Sequence, residues 1–266
     1  MVSTINTRFL YPMKVTVLQM NSVWANPDEN IKRAERLMSK THDSDLYVLP
    51  EMWSTGFATE PIGIAEEEST CKALSWMKET ADNYQIAICG SLAISENEIY
   101  RNRLYFIDGR KEMVSYYDKH HLFRYGHEDQ FYKPGGEHTI IEYMGFRILL
   151  LTCYDLRFPL WSRYADNLKY DMIICVANWP ESRQNAWQIL TRARAIENQA
   201  FVVACNRIGD DNYCHYRGQS SIISPIGKTL ASCPPDEESS ISFLLNLESL
   251  VQLRAKFKVL NDRDQW

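Results

Sequence analysis

The sequence predicts a mixed α/β protein in which sheets and helices form separate layers. Apolar runs of strand length recur along the chain, and helical patterns stand between several of them. Hydrophobic residues make up 45% of the 266 residues, which is enough to fill a large core. Alternation of strands and helices is typical of layered α/β folds, although it would also fit an ordinary doubly wound sheet.

Strands are predicted where apolar runs end at polar or turn-forming residues. They cover residues 15–20, 46–50, 86–93, 99–107, 139–142, 147–153, 172–177, 201–206, 220–224 and 240–245. Turns are predicted at 133–136 and 224–228, where proline and glycine lie close together.

Three helices are predicted between these strands. The first follows Asn26, a capping residue, and Pro27, which suits a first helical turn. The second covers residues 70–81, and the third covers 182–198 with Ser182 as its cap. In the first and third, apolar residues recur at the spacing of one helix face, so each is expected to pack on a sheet.

Length and the terminal segments indicate one domain over residues 1–266. Residues 1–12 precede the first clear strand and are expected to form an arm, and about 247–266 form a C-terminal extension. Residues 1–12 lack the apolar core of a signal peptide, and no apolar run has transmembrane length. We therefore expect a soluble, cytoplasmic protein that does not bind membranes.

The net charge and the spacing of the cysteines argue against several classes of function. The net charge is −5 with no basic cluster, which argues against nucleic acid as a partner. No cysteines form a CxxC pair, so neither a zinc site nor thioredoxin chemistry is expected, and we predict no metal or cofactor. Several cysteines lie in apolar runs, as reduced cytosolic cysteines do. The chain has seven: Cys71, Cys89, Cys153, Cys175, Cys205, Cys214 and Cys233.

Cys153 is the first candidate for chemistry. It ends the apolar run 147–153, and Pro159 shortly afterwards suits the first turn of a helix. A thiol at such a turn lies close to free backbone N–H groups, which stabilise a thiolate or an oxyanion. Taken alone, Cys153 would be interpreted as a buried core cysteine, and the functional interpretation depends on two further segments.

Two charged residues also stand at the ends of strand-like segments. Glu51 follows the run 46–50, and acidic residues are rare there unless they are paired or functional. Lys119 lies in a stretch crowded with aromatic residues, where an ammonium needs an anion nearby. The two residues could form a salt bridge with each other, or they could converge with Cys153 in one site.

Together these segments resemble the three motifs of the nitrilase superfamily of carbon–nitrogen hydrolases. The matching residues are Pro50-Glu51, Tyr117-Asp118-Lys119 and the run from Cys153 to Pro159, and their order and spacing match as well. The resemblance extends from about Lys14 to about Phe257 and includes residues 192–199. Finer matches to the bacterial omega-amidase (2-oxoglutaramate amidase) branch lie at 49–57, 121–124, 177–180 and 214–218.

The resemblance implies a four-layer αββα sandwich and a set of roles. Cys153 would be the nucleophile, Glu51 the general base and acid, and Lys119 with the N–H of Tyr154 the oxyanion clamp. Glu128 would match a second carboxylate that orients the lysine. Local sequence alone would favour Glu128 as a solvated loop acid, and its neighbour Asp129 is easily confused with it.

The omega-amidase resemblance also implies a substrate of the dicarboxylate monoamide type, such as 2-oxoglutaramate or 2-oxosuccinamate. Its carboxylate would need an arginine, and Arg124, close to Lys119, is the first choice. Arg157 is the second, with a structural ion pair as the alternative. Further predicted contacts are Asn178, Trp179 and Trp53, of which the two tryptophans could equally belong to the core.

Alternatives remain for the reaction and for the assembly. Glu51, Lys119 and Cys153 would also serve nitrile, N-carbamoyl or other amide hydrolysis. A catalytically silent binding protein with the same fold is an alternative from a different class of function. Arg192, Arg194 and Glu197 fit buried ion pairs as well as a site role. The resemblance implies a homodimer in which residues 247–266 reach toward the partner.

Overall fold

Two β-sheets stacked face to face, with helices on their outer faces, form the structure, a computed structural model that describes residues 12–264. The strands are β1 (Met13–Gln19), β2 (Leu46–Val48), β3 (Glu66–Glu67), β4 (Ala87–Glu96), β5 (Ile99–Asp108), β6 (Met113–Asp118), β7 (Ile140–Tyr143), β8 (Phe146–Thr152), β9 (Met172–Ala177), β10 (Phe201–Asn206), β11 (Ile208–Asp210), β12 (His215–Arg217), β13 (Ser221–Ile223), β14 (Thr229–Ser232) and β15 (Ser239–Leu245). The α-helices are α1 (Pro27–Met38), α2 (Lys72–Tyr84), α3 (Glu128–Phe131), α4 (Gln184–Asn198) and α5 (Leu247–Lys256).

The strands divide between two large sheets and one hairpin. The first sheet has the order β15-β1-β2-β4-β5-β6, with β3 beside β4. The second has the order β14-β13-β10-β9-β8-β7, and β11 and β12 pair separately. Strands β1, β2 and β4 are parallel to one another, and so are β8, β9 and β10.

Apolar side chains alternate between two cores, because strands in the centre of a sandwich are buried on both faces. In β8, Ile148 and Leu150 face the core between the two sheets. Leu149 and Leu151 point the other way, into a core shared with α4. A third core lies between the first sheet and the helices α1 and α2. The predicted αββα layering is therefore confirmed, and the doubly wound alternative is wrong.

Local sequence signals placed most elements correctly, with boundaries that move by a few residues. Asn26 caps α1 by accepting a hydrogen bond from the Glu29 backbone N–H at 3.1 Å. The prediction for Ser182 is wrong, because a 3₁₀ turn (Glu181–Arg183) comes first and α4 begins at Gln184 without a side-chain cap. Strand β6 escaped prediction because it is an edge strand in which only Tyr117 is buried and the other residues are partly or fully exposed.

The structure describes most of the C-terminal extension but only the last residue of the expected N-terminal arm. The expected arm, residues 1–12, lies outside the described residues except for its last position. The C-terminal extension packs on its own chain as far as residue 264: Leu247 and Leu250 enter the core between the sheets. Arg254 anchors α5 further through an ion pair with Asp171 at 3.0 Å. Within residues 12–264, no helix combines the length and the apolar character needed to cross a membrane.

The topology brings several strand ends to one edge of the sandwich. Strand β6 is antiparallel to β5, which is antiparallel to β4, so β2, β4 and β6 run in the same direction. Glu51 follows β2 and Lys119 follows β6, and both therefore lie at the same edge of the first sheet. Cys153 and Asn178 follow the parallel strands β8 and β9 of the second sheet. The stacking of the sheets brings these two pairs of residues together.

Candidate active site

Cys153 occupies a sharp turn between β8 and a short 3₁₀ helix (Cys153–Arg157). Its φ of 44° lies in the left-handed region, which residues with a side chain rarely adopt. The Asp155 carboxylate braces the turn by accepting a hydrogen bond from the Thr152 N–H at 3.0 Å. Pro159 begins the next 3₁₀ helix, in the position its ring suits. The turn lifts the thiol out of the sheet while leaving only 8% of the residue exposed.

The Glu51 carboxylate is fully buried, and hydrogen-bond donors reach both of its oxygens. Oε1 accepts from Lys119 Nζ and from Asn102 Nδ2, both at 2.8 Å. Oε2 accepts from the Asn178 backbone N–H at 2.8 Å. The Asn178 side chain also donates to the Glu51 carbonyl oxygen at 2.8 Å, which links the segments after β2 and β9. These donors fix the position and orientation of the carboxylate.

Glu128, the first residue of α3, is the second fully buried carboxylate of the cluster. Its Oε2 accepts from Lys119 Nζ at 2.8 Å and from the Phe123 N–H at 2.7 Å, and Oε1 accepts from Asn102 at 2.9 Å. Its neighbour Asp129 instead lies 3.7 Å from Arg124 at the surface. Of the two adjacent acids, the structure brings Glu128 into the cluster.

Lys119 lies between the two carboxylates with its ammonium fully buried. An ammonium has three N–H donors, and Glu51 and Glu128 take two of them, so one is left for a ligand. Burial alone would lower the pKa of Lys119, but the negative charges of Glu128 and Glu51 and the nearby Cys153 raise it well above its ordinary value. The lysine is therefore a permanent positive charge in the site.

The pKa values of the Cys153 thiol and the Glu128 carboxyl are both raised. Burial raises the pKa of the Cys153 thiol well above its ordinary value, the Glu51 charge raises it further, and Lys119 opposes both. Burial also raises the pKa of Glu128, with Glu51 adding to the effect and Lys119 and Asn102 opposing it. These effects favour the protonated form of the Cys153 thiol.

A second network fixes the lysine loop to the cysteine turn. Buried Asp155 accepts from the His121 backbone N–H and from the Tyr117 hydroxyl, each at 2.8 Å. His121 stacks on Phe158 with ring centroids 3.7 Å apart. Because Tyr117 belongs to β6 and Asp155 follows β8, this network ties the two sheets together beside the site.

A small cavity of about 20 Å³ lies over the Cys153 thiol. It is lined by Phe57, Phe123, Cys153, Tyr154, Arg157, Asn178, Trp179, Pro180 and Arg183. A wider cleft of about 530 Å³ adjoins it and shares Phe57, Phe123, Asn178, Pro180 and Arg183. The arrangement suits a small ligand that enters through the cleft and places one end beside the thiol.

Two guanidinium groups line the cavity. Arg157 lies 4.8 Å from the centre of the Trp179 ring, and Arg183 lies 5.3 Å from that of Phe123. Within residues 12–264, neither forms an ion pair with a carboxylate, so both are available to an anion. Arg183 was not predicted, although its position in the loop after β9 places it at the edge where the other site residues meet.

Two predicted contacts lie away from this cavity. The Arg124 side chain is 85% exposed and points to Asp129, because its short 3₁₀ helix (Arg124–Gly126) turns it toward solvent. Trp53 is fully buried and packs against Trp76 with ring centroids 5.3 Å apart, so it belongs to the core under α2. Arg157 and Arg183 thus line the cavity, whereas Arg124 and Trp53 do not.

The charged residues of α4 have separate structural contacts. Arg194 forms an ion pair with Glu197 at 2.8 Å and donates to the Leu156 carbonyl oxygen at 2.6 Å, which supports the cysteine turn from behind. Arg192 donates to the Thr229 hydroxyl at 3.3 Å near the surface. Arg194 and Glu197 thus form the predicted ion pair with each other. Arg192 instead forms a hydrogen bond with a hydroxyl group.

Comparisons with known proteins agree with this geometry. The family model described as carbon-nitrogen hydrolase matches residues 14–255. The chain is 40% identical over 255 residues to the omega-amidase YafV of Escherichia coli (strain K12), covering 96% of this chain and 98% of the relative. It is 34% identical over 250 residues to the 2-oxoglutaramate amidase of Bacillus subtilis (strain 168), covering 93% and 96%.

A solved structure of similar sequence has the same fold. The crystal structure of XC1258 from Xanthomonas campestris, a CN-hydrolase superfamily protein with an arsenic adduct in its active site, superposes with a TM-score of 0.92. The two chains are 34% identical, and the match covers 97% of this chain and 99% of the other.

Replacing Lys119 by methionine tests how strongly the buried charges depend on one another. The variant leaves two carboxylates buried without their cation, so we expect the free energy of unfolding to fall by about 3–5 kcal/mol. The matched control is Lys111→Met, whose exposed ammonium lies 3.8 Å from Asp108. Its effect should stay within about 0.5 kcal/mol. Urea unfolding of both variants measures the difference, and equal small effects would contradict the coupling.

Proposed function

The chain belongs to the carbon-nitrogen hydrolase family, and we propose that it is an omega-amidase that cleaves small dicarboxylate monoamides to acid and ammonia. The observation that carries the proposal is the buried ammonium of Lys119, held between Glu51 and Glu128 beside the Cys153 thiol. The names of the relatives, omega-amidase and 2-oxoglutaramate amidase, support the substrate class.

In the proposed acylation step, Sγ of Cys153 attacks the amide carbonyl carbon while Glu51 takes the thiol proton. The oxyanion that forms accepts hydrogen bonds from the third N–H of Lys119 and from the Tyr154 backbone N–H. Each well-placed donor contributes about 3–4 kcal/mol to such a transition state. When the C–N bond breaks, Glu51 returns the proton to the leaving nitrogen, so ammonia departs and a thioester remains.

Deacylation in this proposal repeats the chemistry with water as the nucleophile. Glu51 takes a proton from the water as its oxygen bonds to the thioester carbon, and the same two N–H groups hold the second oxyanion. The C–S bond then breaks, the proton returns to sulfur, and the acid leaves. Glu128 keeps Lys119 in place throughout, because its Oε2 holds one of the three N–H groups.

Substrate selection follows from the cationic lining of the cavity. We assign the substrate carboxylate to Arg157 and Arg183, with Asn178 and Trp179 as further walls. A 2-oxo acid amide, such as 2-oxoglutaramate or 2-oxosuccinamate, offers two groups of acceptor oxygens to the guanidinium groups. The ammonium of glutamine would lie beside two positive charges and is expected to bind poorly.

We also propose that the protein is a homodimer in the cytoplasm. Ile189 and Ile196 of α4 are 55% and 53% exposed, and the nearby Ile226 is 64% exposed, which gives the outer layer an apolar face. Such a face is typical of a contact between copies. All seven cysteines are free, which supports a reducing compartment, and the net charge of −5 gives no support for a nucleic-acid partner.

Substitution of the nucleophile tests the mechanism. Cys153→Ala and Cys153→Ser should lose ammonia release by roughly four orders of magnitude or more, because covalent catalysis needs the sulfur. Both variants should keep the wild-type circular dichroism spectrum, since the change in volume is small. Ammonia release is measured on a panel of amides, nitriles and N-carbamoyl amino acids. Near wild-type turnover in Cys153→Ala would contradict the thioester mechanism. If the wild type prefers a nitrile, its reaction is nitrile hydrolysis and not amide hydrolysis.

The carboxylate contacts are tested by comparing 2-oxoglutaramate with uncharged butyramide. In Arg157→Ala and Arg183→Ala, the ratio of the two kcat/KM values should fall roughly ten- to hundredfold, because a charge-assisted hydrogen bond is lost. Arg124→Ala is the matched control and should keep the wild-type ratio, since its side chain is 85% exposed. An unchanged ratio in both cavity variants would reject these contacts.

The dimer is tested by light scattering of the wild type and of Ile196→Glu. A mass near twice 31.0 kDa is expected for the wild type, and the variant should shift toward the monomer because a charge is buried in the interface. Tyr84→Glu, at a residue 72% exposed on α2, is the control and should leave the mass unchanged. A monomeric wild type would contradict the proposal.

A further inference from the structure

Asn102 joins the two carboxylates of the site from the middle of β5. Its side chain is 1% exposed. Nδ2 donates to Glu51 Oε1 at 2.8 Å and to Glu128 Oε1 at 2.9 Å. A side-chain amide nitrogen has two hydrogens, so each carboxylate receives one of them. Asparagine is depleted in strands, and its burial in the middle of one indicates a role for its polar atoms.

The orientation of this amide is fixed from the other side. The Ser91 hydroxyl accepts a hydrogen bond from the Met52 N–H at 2.8 Å, and it donates to Asn102 Oδ1 at 2.9 Å. With Oδ1 held in this way, Nδ2 must face the two carboxylates. A chain of hydrogen bonds thus runs from the backbone next to Glu51, through Ser91 and Asn102, and back to Glu51.

The arrangement leaves Oε2 as the less tightly bonded oxygen of Glu51. Lys119 and Asn102 occupy both lone-pair directions of Oε1 at 2.8 Å. Oε2 accepts from the Asn178 N–H at 2.8 Å, and its second contact, from the Asn178 side-chain amide, is long at 3.4 Å. Without the Asn102 side chain, Oε1 would be open to the proton, and both carboxylates would lose a donor.

We propose that Asn102 is a positioning residue that holds the Glu51 and Glu128 carboxylates in place around Lys119 and leaves Glu51 Oε2 to take the proton of Cys153. The proposal rests on the proposed function, since it assigns the shuttle oxygen of that reaction. It concerns the side chain alone. The Asn102 carbonyl oxygen separately accepts from the Lys119 N–H at 3.0 Å, and that bond survives a side-chain substitution.

The direction of the effect on pH dependence follows from the groups around the carboxylates. Lys119, Cys153 and Tyr132 are the titratable neighbours that act on them. The Asn102 hydrogen bond lowers the pKa of Glu128, which burial and Glu51 raise. Its loss favours the protonated form of Glu128. Activity that needs an ionised Glu128 to hold Lys119 should then appear at higher pH than in the wild type.

The test uses two readouts on wild type, Asn102→Ala and Ser91→Ala. One is kcat/KM for 2-oxoglutaramate as a function of pH. The other is the rate at which iodoacetamide alkylates Cys153, followed by mass spectrometry of its peptide, which needs no knowledge of the natural substrate. In Asn102→Ala, kcat/KM should fall roughly ten- to hundredfold. The acid limb of both profiles should move up by about one pH unit. Ser91→Ala should shift both limbs in the same direction by less.

Asn198→Ala is the matched control for the loss of a buried asparagine. Asn198 is fully buried at the end of α4, where it bonds the Arg194 carbonyl oxygen and the Tyr164 N–H. It should lower stability while leaving both profiles in place. If Asn102→Ala does not fold, Ser91→Ala carries the test through the same hydrogen-bond chain.

The outcomes separate this proposal from the proposed function. Wild-type profiles in Asn102→Ala and Ser91→Ala would overturn the positioning role while amide hydrolysis by the wild type stands. A shifted alkylation profile in a protein that releases no ammonia from any amide would support the positioning role and overturn the amidase.

Discussion

One buried ammonium, that of Lys119, holds the site together. Charges are expensive to bury, and Glu51 and Glu128 are buried completely. Lys119 lies 2.8 Å from each of them, and the amide of Asn102 supplies a second donor to both. The loop after β6 starts at Lys119 and leads to Glu128, the first residue of α3, so its course brings the cation and this carboxylate together.

The stacking of two sheets brings residues from the strand ends of both sheets into one site. Glu51 and Lys119 belong to the first sheet, and Cys153 and Asn178 belong to the second. Hydrogen bonds from Asn178 to Glu51, and from Tyr117 to Asp155, cross between the sheets on two sides of the thiol. The relative position of the sheets is therefore fixed close to the chemistry, where a shift of 1 Å would matter most.

The parts that could be predicted from sequence are those that end strands. Cys153, Glu51 and Lys119 each follow an apolar or aromatic segment, and strand ends of one direction meet at one edge of a sheet. The direction of a side chain in a short irregular turn has no such rule, so the sequence does not show that Arg124 faces solvent or that Arg183 lines the cavity. Asn102 could not be predicted for another reason. It lies inside a strand, and its partners Glu51 and Glu128 are 51 and 26 residues away in sequence.

The raised pKa of Cys153 has a consequence for how the protein survives in a cell. Peroxides attack thiolates far faster than thiols, so a cysteine that stays protonated at rest is oxidised slowly. In the proposed mechanism, the sulfur becomes nucleophilic only when a carbonyl is in place and Glu51 removes its proton. The same burial that makes the thiol a poor nucleophile in the empty protein thus preserves it in the reduced form between turnovers.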